Sequence, residues 1–189
     1  MNLGNIEGNL IIAPPVVKGN FWYKTVIMIV ENYNYGSIGL VLNKKSNLTI
    51  NELGEKVGLD IDIPGFVYTG GPVSSNSLSL LHTNEWACKN TLRINDNFSL
   101  SSSDTILPRL ATGDYPQKWR LMFGMCGWAN GQLLAEINGI PPYNHTKSWC
   151  TASGDIDLVF EYDQKLQWQN ALEKSAEEFA KSIDFKSKV

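Results

Sequence analysis

Thr25-Val26-Ile27-Met28-Ile29-Val30-Glu31, Asn32-Tyr33-Asn34-Tyr35-Gly36 and Ile38-Gly39-Leu40-Val41-Leu42 follow one another closely, and their reading decides the fold. The first run is β-branched and almost continuously apolar, the pattern of a strand covered on both faces. The second is rich in residues that tolerate left-handed backbone, so it reads as a turn. The third is a strand again, and so short a connection predicts antiparallel pairing. A hairpin this early argues for α+β over a doubly wound parallel sheet.

Outward from the hairpin, Leu10-Ile11-Ile12-Ala13 predicts a short buried strand stopped by Pro14-Pro15. Gly65 to Tyr68 leads as a strand into the block Gly70-Gly71-Pro72-Val73. Leu78–His82, Thr91–Ile94, Trp119–Met125 and Asp157–Glu161 read as further strands. Thr49 with Glu52 three residues on is a capping box, and Gly58 can close that helix. Ser101 to Thr112 predicts a second helix, capped by Ser102 or Ser103; its Pro108 demands a late start or a kink. Gly131 to Asn138 is short and helix-compatible. Trp168, Leu172, Ser175 and Phe179 mark the apolar face of a terminal helix. Its Lys174/Glu178 and Glu177/Lys181 pairs form a solvated face. About seven strands and three or four helices make one domain over residues 1–189.

The 189 residues are 43% hydrophobic and 19% charged, a globular composition. Sixteen basic residues face nineteen acidic ones, and only Arg93, Arg109 and Arg120 are arginine. A protein that grips duplex DNA clusters basic residues on one face or helix. The sole adjacent lysine pair is Lys44-Lys45, so direct nucleic-acid binding is not expected. Cys88, Cys126 and Cys150 are odd in number and lack a C-x-x-C pair, which argues against disulfides and zinc. The polar N-terminus is no signal peptide, and no apolar run approaches the roughly 20 residues that span a bilayer. A reducing cytoplasm, with no membrane partner, is the expectation.

Four constellations invite chemistry. Gly70-Gly71-Pro72 follows a strand as a phosphate loop would, yet it lacks the G-x-x-x-x-G-K-[ST] spacing and Pro72 removes a donor. A tight turn with close strand approach is the better reading. Cys126 sits between Gly124 and Gly127, where a following helix N-terminus could lower its pKa. Its base would be His82 or His145 and its orienter Glu136 or Asp157. Buried packing is the ordinary fate of a free cysteine and is favoured. His82, His145, Cys126 and Cys150 lack metal-ligand spacing, so no metal is expected, and His82 reads as a hydrogen-bonded structural residue. Glu136 is either a helix-surface residue or, more sharply, a pocket acid beside Trp128 and Gln132. A pocket or partner surface could gather Gly70, Gly71, Pro72, His82, Cys126, Trp128, Gln132 and Glu136; as a pocket it would make the chain a small-molecule-binding protein or an enzyme.

The ordered set resembles the YqgE/AlgH family (UPF0301). Gly8-Asn9-Leu10-Ile11-Ile12-Ala13-Pro14-Pro15 carries the likeness, with Phe21, Lys24-Thr25-Val26-Ile27 and Gly39-Leu40-Val41-Leu42-Asn43. Gly70-Gly71-Pro72-Val73, Leu81-His82, Gly127-Trp128, Gly131-Gln132-Leu133, Trp149, Leu158-Val159-Phe160 and Trp168 extend it. Departures stand at Lys24 for arginine, Asn32 for histidine, Lys44-Lys45 for Arg-Pro and Met125-Cys126 for Tyr-Ala. Asn138 to Lys147 looks like an insertion. The resemblance implies an α+β domain with a strongly bent, partly barrel-like mixed sheet and flanking helices. It also implies a transcriptional-regulator label without a mechanism. Together with the charge balance, this leads us to expect a monomer without cofactor that acts through an unidentified protein or small molecule.

Overall fold

A computed structural model of the chain describes residues 6–141, 148–162 and 164–186. The predicted hairpin is β2 (Val26–Tyr33) and β3 (Gly36–Val41), antiparallel with Met28 opposite Leu40. β1 (Leu10–Ile12) adds antiparallel to β2, and β10 (Cys150–Ala152) adds to β1. On the other side of β3 runs β9 (Trp119–Ala129), an eleven-residue strand. Beyond it lie β6 (Val73–Thr83), β8 (Phe98–Ser101) and β7 (Thr91–Arg93). β4 (Lys45–Thr49) pairs with β5 (Phe66–Thr69), and β5 lies parallel to β9, which makes the sheet mixed.

Gly124 explains why one long strand can serve two halves of a curled sheet. Cys126–Ala129 of β9 pair with β3, while Trp119–Phe123 pair with β6. Between them Gly124 takes a φ of 74°, a left-handed conformation that glycine adopts at little cost. Gly70 and Gly71 thread into this bend: the Gly70 N–H donates to Phe123 O at 2.7 Å, and Val41 N–H donates to Gly70 O at 2.8 Å. A Cβ on Gly70 would strike the Gly124 carbonyl. The block is therefore a seam between strands, as the sequence reading expected.

The near-continuous hydrophobicity of β2 has its reason in two cores. Val26, Met28 and Val30 join Leu40, Leu81, Phe98, Met122, Val159 and Trp168 on one face. Ile27 and Ile29 join Ile11, Val41, Cys126, Trp128, Leu133 and Trp149 on the other. The first cluster draws on both halves of the sheet, which curls around it. A third, around Leu53, Val67, Leu80, Ile106 and Leu121, seats the helices α1 (Ile50–Val57) and α2 (Ile106–Ala111). α1 carries the expected capping box, and Gly58 closes it in left-handed geometry.

The remaining helices are α3 (Gln132–Asn138), α4 (Ile156–Phe160) and α5 (Gln164–Lys186). α4 corrects the strand predicted over 157–161. A short apolar run cannot choose between strand and helix by itself. The choice falls to Asp155, whose side chain accepts from Leu158 N–H at 2.8 Å as an N-cap. α2 is shorter than predicted: Ser101 ends β8, and neither Ser102 nor Ser103 is the cap residue. The helix starts after Thr105, so Pro108 falls in its first turn, where no N–H is needed. On α5 the buried stripe is Gln167, Trp168 and Ala171, while Phe179 is 64% exposed. Lys174 turns from Glu178 to pair with Asp155 at 2.5 Å, and Glu178 accepts the Ser153 N–H at 3.0 Å. Among the described residues no helix is long and apolar enough to cross a membrane.

Candidate functional site

Where β3 ends, β4 begins and α5 starts, four lysines ring one open cleft of about 420 Å³. They are Lys24, Lys44, Lys45 and Lys165, with Phe21 and Tyr23 on the rim. Among the described residues no carboxylate lines the cleft. The ion pairs of the described residues use Arg93, Arg109, Lys118 and Lys174, and so leave these four lysines out.

Three of the ammonium groups, those of Lys24, Lys44 and Lys45, rest on aromatic faces. Lys24 Nζ lies 5.1 Å from the Tyr23 ring centre and 5.4 Å from that of Trp168. Lys44 Nζ lies 5.0 Å from the Phe21 ring and Lys45 Nζ 5.9 Å from the Phe66 ring. Such contacts are worth roughly 0.5–1 kcal/mol at exposed sites, far less than a charge partner in a desolvated place. Lys44 is half-buried, and burial pushes its pKa below the ordinary lysine value. Its Nζ meets only the Tyr23 carbonyl among hydrogen-bond acceptors, at 3.5 Å.

Asn43 builds the cleft. It is 5% exposed, and its Oδ1 accepts from Val26 N–H at 3.0 Å. Its Nδ2 donates to Lys24 O at 2.7 Å and to Gln164 O at 3.1 Å. One amide thus ties the entry of β2, the exit of β3 and the start of α5. Lys24 adopts a φ of 51°, uncommon for a residue with a Cβ. A strained conformation persists where its surroundings over-determine it, and the Asn43 clamp does so here. Beneath lies Arg120, 5% exposed, donating to Leu42 O and, at 2.9 Å, to Gln167 Oε1, with its guanidinium 4.7 Å from the Tyr68 ring. Gln167 in turn donates to Leu158 O at 2.8 Å. Asn43, Arg120 and Gln167 escaped the sequence reading. The available signal was a polar residue closing or interrupting an apolar run.

The sequence-derived residues separate into three places. Trp128, Gln132 and Glu136 come together: Glu136 accepts from Trp128 Nε1 at 3.1 Å, Gln132 Nε2 at 2.9 Å and Trp149 Nε1 at 2.9 Å. Gln132 Oε1 also takes the Ala129 N–H at 3.0 Å. Glu136 thus lies beside Trp128 and Gln132, with its carboxylate taken up by these three donors. Gly70, Gly71 and Pro72 lie at the β9 bend, with Cys126. That thiol is inside β9, not at a helix start; it donates to Gly70 O at 3.6 Å, and burial pushes its pKa up to about 12. His82 faces Trp119, at the opposite end of β9 from Trp128. It is fully buried, with Nδ1 2.8 Å from Thr83 O and Nε2 2.8 Å from Ser101 Oγ. The carbonyl requires a proton on Nδ1, so Nε2 accepts from Ser101. His145 and most of the Asn138–Lys147 insertion lie outside the described residues. Among those described, no three His, Cys, Asp or Glu side chains gather as metal ligands.

Cys88, which the sequence reading left aside, has the more reactive environment. Burial raises its pKa, but hydrogen bonding with Ser101, Thr91 and the Asn90 backbone, with the Arg109 charge, outweighs that and lowers it.

The sequence profile of the family described as AlgH-like (DUF179) matches residues 10–180. A UPF0301 protein of Marinomonas sp. strain MWYL1 is 32% identical over 171 residues, covering 88% of this chain and 87% of its own. A UPF0301 protein of Azoarcus sp. strain BH72 is 30% identical, covering 94% and 93%. The solution structure of the AlgH protein from Pseudomonas aeruginosa superimposes with a TM-score of 0.73 at 26% identity, covering 92% of this chain and 90% of that one.

Proposed function

The chain belongs to the AlgH-like family, and from that premise we propose that it is a cytoplasmic regulatory protein that works by binding, with the lysine cleft as receptor for an anionic ligand. One observation carries this reading. In a chain of net charge −3, four lysines converge on one cleft that no carboxylate among the described residues lines. Like charges held together repel, and a bound anion removes that cost. The regulatory half of the proposal rests on the label attached to the resembling family. The same negative balance favours action through the ligand or a protein partner over direct contact with DNA.

Titration calorimetry with phosphate, pyrophosphate and citrate at low salt tests the reading. Saturable binding of at least one is expected, weakened at least tenfold in the Lys44→Ala/Lys45→Ala double variant and unchanged in Lys89→Ala. Added salt should weaken it further, since the cleft is open. If none of the three anions binds saturably, the cleft is not a receptor. Tight, sequence-dependent retention of duplex DNA in a mobility-shift assay would overturn the indirect mode of action.

A further inference from the structure

Resting on the reading of the cleft as an anion receptor, we infer that its ligand is a small organic molecule bearing two or more phosphate groups. Valence comes first. Four ammonium groups ring a cleft of about 420 Å³, and no carboxylate among the described residues lines it. A single carboxylate would leave most of that charge unmatched, whereas a pair of phosphates supplies comparable negative charge in a compact space.

Donor geometry points the same way. An ammonium offers three rotatable donors and acts as a point charge, which suits tetrahedral phosphate oxygens. Planar carboxylates are better matched by the fixed fork of arginine. The cleft lining has lysine and no arginine, because Arg120 is turned inward to Leu42 O and Gln167. Thr69, at the end of β5, adds a hydroxyl to the same wall.

Size and rim decide the organic part. The volume lies within the roughly 300–1,000 Å³ usual for small-molecule sites, more than a lone inorganic ion needs. Phe21 and Tyr23 stand 37% and 43% exposed at its edge, rings against which an apolar or flat moiety can lie. The two rings flank the Lys24 and Lys44 ammonium groups, so charge and apolar surface alternate along one wall. The Asn43 clamp on Lys24 holds that wall in place before any ligand arrives, which lowers the cost of ordering on binding.

Calorimetric ranking of four probes tests the inference: orthophosphate, pyrophosphate, citrate and adenosine 5′-diphosphate. Pyrophosphate is expected to bind at least tenfold tighter than orthophosphate or citrate, and the nucleotide several-fold tighter again. Tyr23→Ala should weaken the nucleotide several-fold more than pyrophosphate and so remove the nucleotide's advantage. Citrate binding as tightly as pyrophosphate would leave the anion receptor standing and overturn its phosphate character. A nucleotide no tighter than pyrophosphate would overturn the organic part. Silence from all four probes would remove the underlying reading itself. Circular dichroism of each variant separates a lost site from a lost fold.

Discussion

The Glu136 cluster and the lysine cleft share one turn of backbone and treat charge in opposite ways. Trp22 packs edge-on against Trp149, 5.6 Å between ring centres, within the cluster that Glu136 holds together. Its neighbours Phe21, Tyr23 and Lys24 line the cleft. In the cluster one carboxylate receives three N–H donors and closes the account of its surroundings. In the cleft four cations gather, three of them against aromatic rings, with no counter-charge among the described lining residues. A saturated polar cluster specifies structure. An unsaturated one leaves binding energy to be realised by something from outside.

Removing the centre of each region gives the largest contrast. Glu136→Ala strands the indole N–H groups of Trp128 and Trp149, both buried, and should cost about 3 kcal/mol in denaturant unfolding. Lys44→Ala/Lys45→Ala should stay within about 0.5 kcal/mol of the parent, because it removes mutual repulsion along with packing. Equal losses would erase the distinction between the two regions.

His82 extends the comparison to pH. Burial holds its imidazole below the ordinary pKa of 6.5, outweighing the opposing effects of Thr83 O and Glu85. The unfolded chain takes up that proton near pH 6.5, and the folded chain only at lower pH. Stability from this group is therefore intact above about pH 6.5 and lost as pH falls towards the folded value. Unfolding midpoints at pH 7.5 and 5.5 should show the drop, and His82→Gln should flatten it. A pH-independent midpoint would mean that His82 is not held neutral.

The smallest effect sharpens the contrast without touching stability. Iodoacetamide at pH 8 should modify Cys88 in the native protein, whereas Cys126 should react only after unfolding, its pKa being pushed up to about 12. Peptide mapping of the labelled protein reads both at once. Native labelling of Cys126 would show that the β9 bend opens.

Much of the scaffold was legible because its causes are local. The capping box of Thr49 and Glu52 and the β2–β3 hairpin each follow from residues a few positions apart. The strand misread over 157–161 shows the limit. Leu158 and Val159 are apolar in either conformation, and an Asp155 cap three residues away tips the balance. Phe179 shows another: helical spacing placed it on an apolar face, yet it stays exposed. Within the Glu136 cluster, Gln132 lies one helical turn away and was foreseeable; Trp149 was not.

The sequence by itself determined the alternation of buried strands and capped helices and the family to which they belong, since these depend on short-range pattern. Only the tertiary structure decided that Lys24, Lys44, Lys45 and Lys165 face one space. They converge because Asn43 fastens the ends of three distant segments with hydrogen bonds from one buried amide. Electrostatic potential sums over distance in space, and chain order carries no record of it.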